Sequence, residues 1–173
     1  MKLNLLNQVF SLHDFHLTNL EVFDDKFILS FDEGIYFEKK DDKEIDYVMT
    51  NPKLILEKTD TSFTKVELEE VIENIIHSFD SDFYENIEID DIEGGIMDSV
   101  EIILFKDGVY KKISIEEFLK LNFEIINESF GYGYMRFYGI VTGFDDKEEW
   151  QNASLEIFYN NELELIYDSL EKL

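Results

Sequence analysis

Apolar positions recur mostly with a period of two along this chain. Leu20 and Val22 alternate with Glu21, and Phe27, Leu29 and Phe31 form one face of a return segment after Asp24-Asp25-Lys26. Successive side chains of a strand point to opposite faces, so such alternation marks half-buried strands. It predicts a hairpin over 20–31, ended by Asp32-Glu33-Gly34, and a third short strand at Ile35-Tyr36-Phe37. Residues 39–46, dense in Lys, Asp and Glu, read as a solvated loop. Lys53 to Lys58 reads as a strand with Leu54 and Leu56 on one side.

The period changes after residue 64. Thr64 and Glu67 make a capping box, and Leu68, Val71, Ile72, Ile75, Ile76 and Phe79 fall at helical spacing. The reading is a helix that turns Glu69, Glu70, Glu73 and Asn74 outward, with a strand through Val66 and Leu68 as the competing assignment. Residues 80–96 carry Asp80, Asp82, Glu85, Glu88, Asp90, Asp91 and Glu93 before Gly94-Gly95, and read as an exposed loop or weak edge strand. Val100–Phe105 and Val109–Ile113 form a hairpin across Lys106-Asp107-Gly108, where Asp-Gly suits a tight turn. Ser114 with Glu117 opens a short helix through Phe118 and Leu121. Four strands follow, over 123–130, 134–141, 154–159 and 163–167, the last two joined as a hairpin at Asn160-Asn161. The expected fold is α+β: a mainly antiparallel sheet built from hairpins, with one or two short helices packed on it. No repeat and no Gly/Ser-rich linker divides the chain, so residues 1–173 read as a single domain.

Composition sharpens this picture. The chain has 173 residues, 45% of them apolar, with 16 Phe and 9 Tyr. An acidic disordered tail would lack that core material. There is no cysteine, which removes disulfides, thiolate nucleophiles and Cys-ligated metals. The first residues carry no long apolar core or cleavage signal, and nothing approaches the roughly 20 apolar residues that cross a bilayer. A cytoplasmic location is therefore expected. One Arg among 15 basic residues, with abundant Ile, Asn, Phe and Lys, reads as AT-rich coding in a low-GC bacterium or its phages.

Charge is the largest anomaly. The formal net charge is −25, and residues 66–105 hold 13 acids with no Lys or Arg. Such a charge opposes self-association and repels nucleic acid and anionic membranes, while it attracts basic proteins. It predicts a monomer or weak dimer whose partner is a basic protein. The residues assigned to that partner are Glu69, Glu70, Glu73, Asp80, Asp82, Glu85, Glu88, Asp90, Asp91 and Glu93.

Other motifs weaken on inspection. His13, Asp14 and His16 have residue types suited to metal binding or proton transfer, yet no further ligand is identifiable, and a turn cap joining the N-terminal segment to the sheet is the simpler reading. Asp80 to Asp91 fails as a calcium loop because Glu85 stands where glycine is needed. Gly131 and Gly133 lack the third glycine and following helix of a phosphate loop, so they read as a bend between strands. Arg136 reads as the partner of a nearby carboxylate, with its aromatic neighbours able to line a pocket. Carboxylate pairs are too many to single out an acid and a base. No cofactor, no metal and no catalytic residue is expected.

The His13-Asp14 opening, the alternating hairpin before Gly34, and the closing strands of 154–159 and 163–168 resemble families of small bacterial proteins. Some of these are similar to immunity proteins of polymorphic toxin systems. The resemblance covers about a third of the chain and implies a small α+β binder that occupies a toxin's active surface. A nucleic-acid mimic of the anti-restriction kind is the alternative, and an enzyme using His13, Asp14 and His16 is the third reading.

Overall fold

The computed structural model describes residues 10–40, 43–58, 100–131, 133–144, 149–160 and 162–173, with backbone alone for 39, 40 and 43–45. Chain contacts divide into two units, 1–59 with 99–173 and 60–98, and every described residue belongs to the first.

Thirteen strands and one short helix make up the described residues. In chain order they are β1 (Phe10–Ser11), β2 (His16–Val22), β3 (Lys26–Phe31), β4 (Glu33–Lys40), β5 (Lys43–Thr50), β6 (Lys53–Glu57), β7 (Val100–Lys106), β8 (Val109–Lys112), α1 (Ile115–Phe118), β9 (Asn122–Gly131), β10 (Tyr134–Thr142), β11 (Gln151–Phe158), β12 (Leu163–Ile166) and β13 (Ser169–Lys172). All pairings are antiparallel. Nine strands form a sheet in the order β12-β6-β3-β2-β9-β10-β11-β7-β8, and four form a smaller one, β1-β4-β5-β13.

The larger sheet cannot be flat. β11 and β12 are six places apart in it, roughly 29 Å at about 4.8 Å per strand. Only residues 159–162 join them, which reach at most about 18 Å when fully extended. The sheet therefore folds over its own inner face. The fold line is the β2–β9 pairing, which has only two register pairs, His16↔Glu124 and Leu17↔Phe123. One leaf is β12-β6-β3-β2, and the other is β9-β10-β11-β7-β8. Phe31 of β3 and Phe137 of β10, three strands apart, bring their ring centroids to 5.7 Å across the fold.

Every strand of the two leaves except β8 sends apolar side chains into the space between them. Phe27, Leu29 and Phe31, Leu54 and Leu56, Leu163 and Leu165, Met135 and Phe137, and Leu155 and Ile157 are all buried there. The smaller sheet adds Phe10 and Met49 to the same core. Phe118, the single buried residue of α1, packs on Phe123 at 5.0 Å.

Several expectations hold: the 20–31 hairpin, the strand with Leu54 and Leu56 inward, the Asp107-Gly108 hairpin, and the Ser114–Glu117 capping box with both of its hydrogen bonds. Two do not. Of the loop expected over 39–46, residues 39 and 40 end β4 and residues 43–46 begin β5, which pairs with β4 over its whole length. Their register sets Lys39 against Glu44 and Tyr36 against Tyr47. The Tyr36 and Tyr47 rings meet across the pair at 6.4 Å, and such cross-strand contacts support a strand pair, so charge density was a poor sign of a loop. β11 and β12 do not form a hairpin either. Both edges of β11 are already paired, to β10 and β7, so the chain crosses to the open edge of β6. The mainly antiparallel sheet is as expected, and helix among the described residues is limited to the four residues of α1. The expected helix over 65–79 lies outside the described residues.

Close packing at the fold line fixes one residue outright. A Cβ on Gly139 of β10 would stand 1.9 Å from the Glu124 carbonyl oxygen and 2.8 Å from the Phe123 ring. Backbone cannot yield as a flexible side chain can. A bulge sits beside it, where Ile126 has no register partner between Asn127 and Ile125. Gly139→Ala should therefore lose at least about 3 kcal/mol of stability or abolish folding. Urea unfolding followed by circular dichroism checks this, and a loss under about 1 kcal/mol would contradict the close approach.

Candidate protein-binding surface

All ten acids assigned to a partner, Glu69, Glu70, Glu73, Asp80, Asp82, Glu85, Glu88, Asp90, Asp91 and Glu93, lie outside the described residues, as does the Asp80–Asp91 loop.

The histidine segment lies at the fold line. Asp14 has a left-handed backbone (φ 67°) and donates its N–H to the Ile125 carbonyl at 2.7 Å, while Phe15 N–H closes a turn on Leu12 at 3.2 Å. The two histidines then diverge. His13 Nδ1 lies 2.8 Å from Asp14 Oδ1, on exposed side chains. His16 Nδ1 lies 3.0 Å from Asp32 Oδ2, and Asp32 Oδ1 accepts the backbone N–H groups of His16 and Glu33. No group of three or more metal-capable side chains occurs among the described residues. The Asp14 backbone and the His16–Asp32 contact tie the N-terminal segment to the sheet, while the side chains of His13 and Asp14 bond each other rather than cap the turn.

Beneath that turn is a carboxylate that sequence reasoning missed. Simple alternation in β9 would put Glu128 outward, beside Glu124. The bulge at Ile126 reverses the parity, so Glu128 lies opposite Phe137 on the core side. It accepts the Leu12 N–H at 2.9 Å. Burial pushes its pKa above the usual carboxylate value, against the hydrogen bonds from Leu12 and Ser11, which pull it down.

The outward side of the second leaf is aromatic. Arg136 of β10 faces Glu156 of β11, with Nε at 3.2 Å from Oε1 and 3.0 Å from Ser154 Oγ, and Ser154 Oγ bonds Glu156 Oε1 in turn. Ser154 is almost fully buried although it lies on the outward row. On one side of this polar knot Phe105 stacks on Tyr138 at 5.9 Å and meets Tyr110 edge-on. On the other, Tyr134 packs on Phe158 at 5.2 Å. Burial and the neighbouring Glu156 both raise the Tyr134 pKa. Arg136 is thus paired with a carboxylate, as expected. The Gly131–Gly133 segment is a hairpin turn, with Gly133 at φ 75° and the Tyr159 hydroxyl bonded to the Gly131 carbonyl. Beyond the stack, a cleft of about 240 Å³ is lined by Phe105, Lys106, Glu149, Trp150 and Asn152.

The first leaf carries an acidic notch of about 150 Å³. Asp25 from the β2–β3 turn, Glu57 from the end of β6, and Glu162 and Glu164 at β12 converge on it, with Lys26 the cation in the lining. Backbone bonds hold the rim: Lys58 N–H to the Asp25 carbonyl at 2.9 Å and Asn160 N–H to that of Glu57 at 2.7 Å. Lys26 and Lys58 place their ammonium groups over the Phe23 and Phe27 rings. Sequence reading missed this group because three separate segments supply it. Comparison with family models, curated proteins and solved structures finds no match.

The Glu128 shift has a definite sign. Its carboxyl holds a proton more readily in the folded chain than in the unfolded one. Its contribution to stability is complete below the ordinary carboxylate pKa and is lost as pH rises through the raised value. The Glu128→Gln variant keeps an acceptor for Leu12 and removes the buried charge. It should melt higher than wild type at pH 7, with the gap closing toward pH 4. Parallel melting profiles across that range, read by calorimetry, would refute the assignment.

Proposed function

We propose that this chain is an acidic binding protein that occupies the basic active surface of another protein, in the manner of a toxin's immunity partner. The observation that carries the reading is the concentration of acid, 13 carboxylates and no Lys or Arg within residues 66–105 of a chain with net charge −25. The notch formed by Asp25, Glu57, Glu162 and Glu164 supports it, since these carboxylates converge from three segments on one concave spot. Enzymes that act on nucleic acid hold cationic grooves for phosphates, and an acidic protein reaches such a groove by steered association. Binding rather than catalysis is also the reading that the paired states of His13, His16 and Arg136 favour, because each is engaged in a structural contact.

Affinity capture with the full chain from its native cytoplasm, read by mass spectrometry, should enrich a basic protein. With that protein in hand, neutralising Glu69, Glu70, Glu73, Asp80, Asp82, Glu85, Glu88, Asp90, Asp91 and Glu93 to their amides should slow association about ten- to a hundredfold at low salt and flatten its salt dependence. The combined variant Asp25→Asn, Glu57→Gln, Glu162→Gln and Glu164→Gln should act in the same direction. An unchanged on-rate in both sets would overturn the reading. Binding with a steep salt slope but only to nucleic-acid-handling enzymes at their duplex site would move it to nucleic-acid mimicry.

A further inference from the structure

Among the described residues β8 ends the larger sheet, and all four of its residues are exposed. Val109 is 67% and Tyr110 74% exposed, the largest fractions of any apolar or aromatic side chains within a strand of the described body. The turn before it has positive φ at both Asp107 (52°) and Gly108 (79°), which is a type I′ hairpin closed by the Lys106–Val109 pair. In such a hairpin the closing pair exchanges both backbone hydrogen bonds, and the pairs then alternate. Val109 and Lys111 therefore bond to β7, and Tyr110 directs its N–H and C=O away from the sheet. Those two groups are a ready template for a further strand.

The charge around this edge differs from that of the chain. A protein with net charge −25 repels its own copies over most of its surface. On this leaf three ion pairs offset part of the charge: Lys106 with Glu149 at 3.1 Å, Lys112 with Glu101 at 3.5 Å, and Arg136 with Glu156 at 3.2 Å. Lys111 adds a cation on β8 itself. The edge that offers free backbone groups is also a place where a second copy meets little repulsion.

We propose that two copies of this chain associate through β8, antiparallel about a two-fold axis at Tyr110. Geometry and charge select the register. With Tyr110 opposite its own copy, the outward-directed N–H and C=O groups of the two tyrosines bond reciprocally, and Lys111 faces Val109 of the other chain. Sliding by one pair would set Lys111 against Lys111, which like-charge repulsion disfavours. The chosen register also continues the row Tyr138–Phe105–Tyr110 from one sheet into the next. This dimer is independent of the acidic-partner reading, since it uses the cationic edge rather than the carboxylates.

Salt separates the two. Screening weakens a complex between opposite charges, whereas it relieves repulsion between two acidic copies. Sedimentation equilibrium of the full chain should give a mass that rises with concentration toward twice 20.5 kDa, and the dimer fraction should grow as salt is raised. Tyr110→Pro removes the outward N–H, a change that edge strands tolerate, and should leave a monomer at every salt concentration with an unchanged circular dichroism spectrum. The chain has no cysteine, so Tyr110→Cys supplies a second readout that does not depend on the proline variant folding. Facing residues in a hydrogen-bonded pair lie about 5.5 Å apart, within disulfide reach. It should cross-link on mild oxidation much faster than Leu173→Cys, an equally exposed control. A monomer at all concentrations, a dimer that persists in Tyr110→Pro or dissociates as salt rises, or equal cross-linking of both cysteine variants would overturn the proposal.

Discussion

Tyr159, Asn160, Asn161 and Glu162 join two strands that stand six places apart in one sheet, and most of the fold depends on that short reach. With so few residues the sheet has to bend until its inner face meets itself. Pairing within that sheet is thinnest at the two register pairs between β2 and β9. That line collects the unusual backbone features: the left-handed turn at Asp14, the bulge at Ile126, and the Gly139 approach to the Glu124 carbonyl. Each permits close contact that a regular ladder of side chains would block. The core follows, because a sheet folded on one face needs only one apolar side per strand.

That dependence explains what was legible in the sequence. Local signals worked well. Asp107-Gly108, the Ser114–Glu117 box and the alternation through Phe27, Leu29 and Phe31 each report a hydrogen-bonding or packing preference that a few neighbouring residues decide. Pairing between distant strands is a different kind of information. Asn160-Asn161 is suited to a tight turn, and nothing near it records that both edges of β11 are already occupied. The same limit hid the notch, whose carboxylates come from residues 25, 57, 162 and 164. Glu128 was missed for a narrower reason. One unpaired residue reverses the inward and outward sense of every later side chain in its strand, and Ile126 carries no mark of being that residue.

Charge and burial meet differently on the two leaves. On the first, carboxylates gather around a concave spot whose two nearby lysines lean over phenylalanine rings. On the second, Lys106, Lys112 and Arg136 each lie against an acid, and aromatic rings pack beside the pairs. A surface of the first kind attracts basic matter at long range and loses that attraction in salt. A surface of the second kind contributes little at long range and adheres through contact.

Ser154 shows how tightly the outward side of the second leaf is ordered. It sits on the outward row, yet only 1% of it is exposed, because Arg136 and Glu156 close over it and both make hydrogen bonds to its hydroxyl. An ordinary solvated face would leave a small polar residue in the middle of a strand open to water. Here the serine acts as a fixed polar floor that holds the guanidinium Nε and the carboxylate in one geometry. Holding these long side chains in place reduces the side-chain freedom that binding would otherwise remove. Tyr134 and Phe158 on one side, and Tyr138 and Phe105 on the other, are likewise set by ring packing before anything docks. Pre-ordered Tyr and Arg side chains are the kind from which interfaces draw most of their energy, and the proposed dimer would extend this same face.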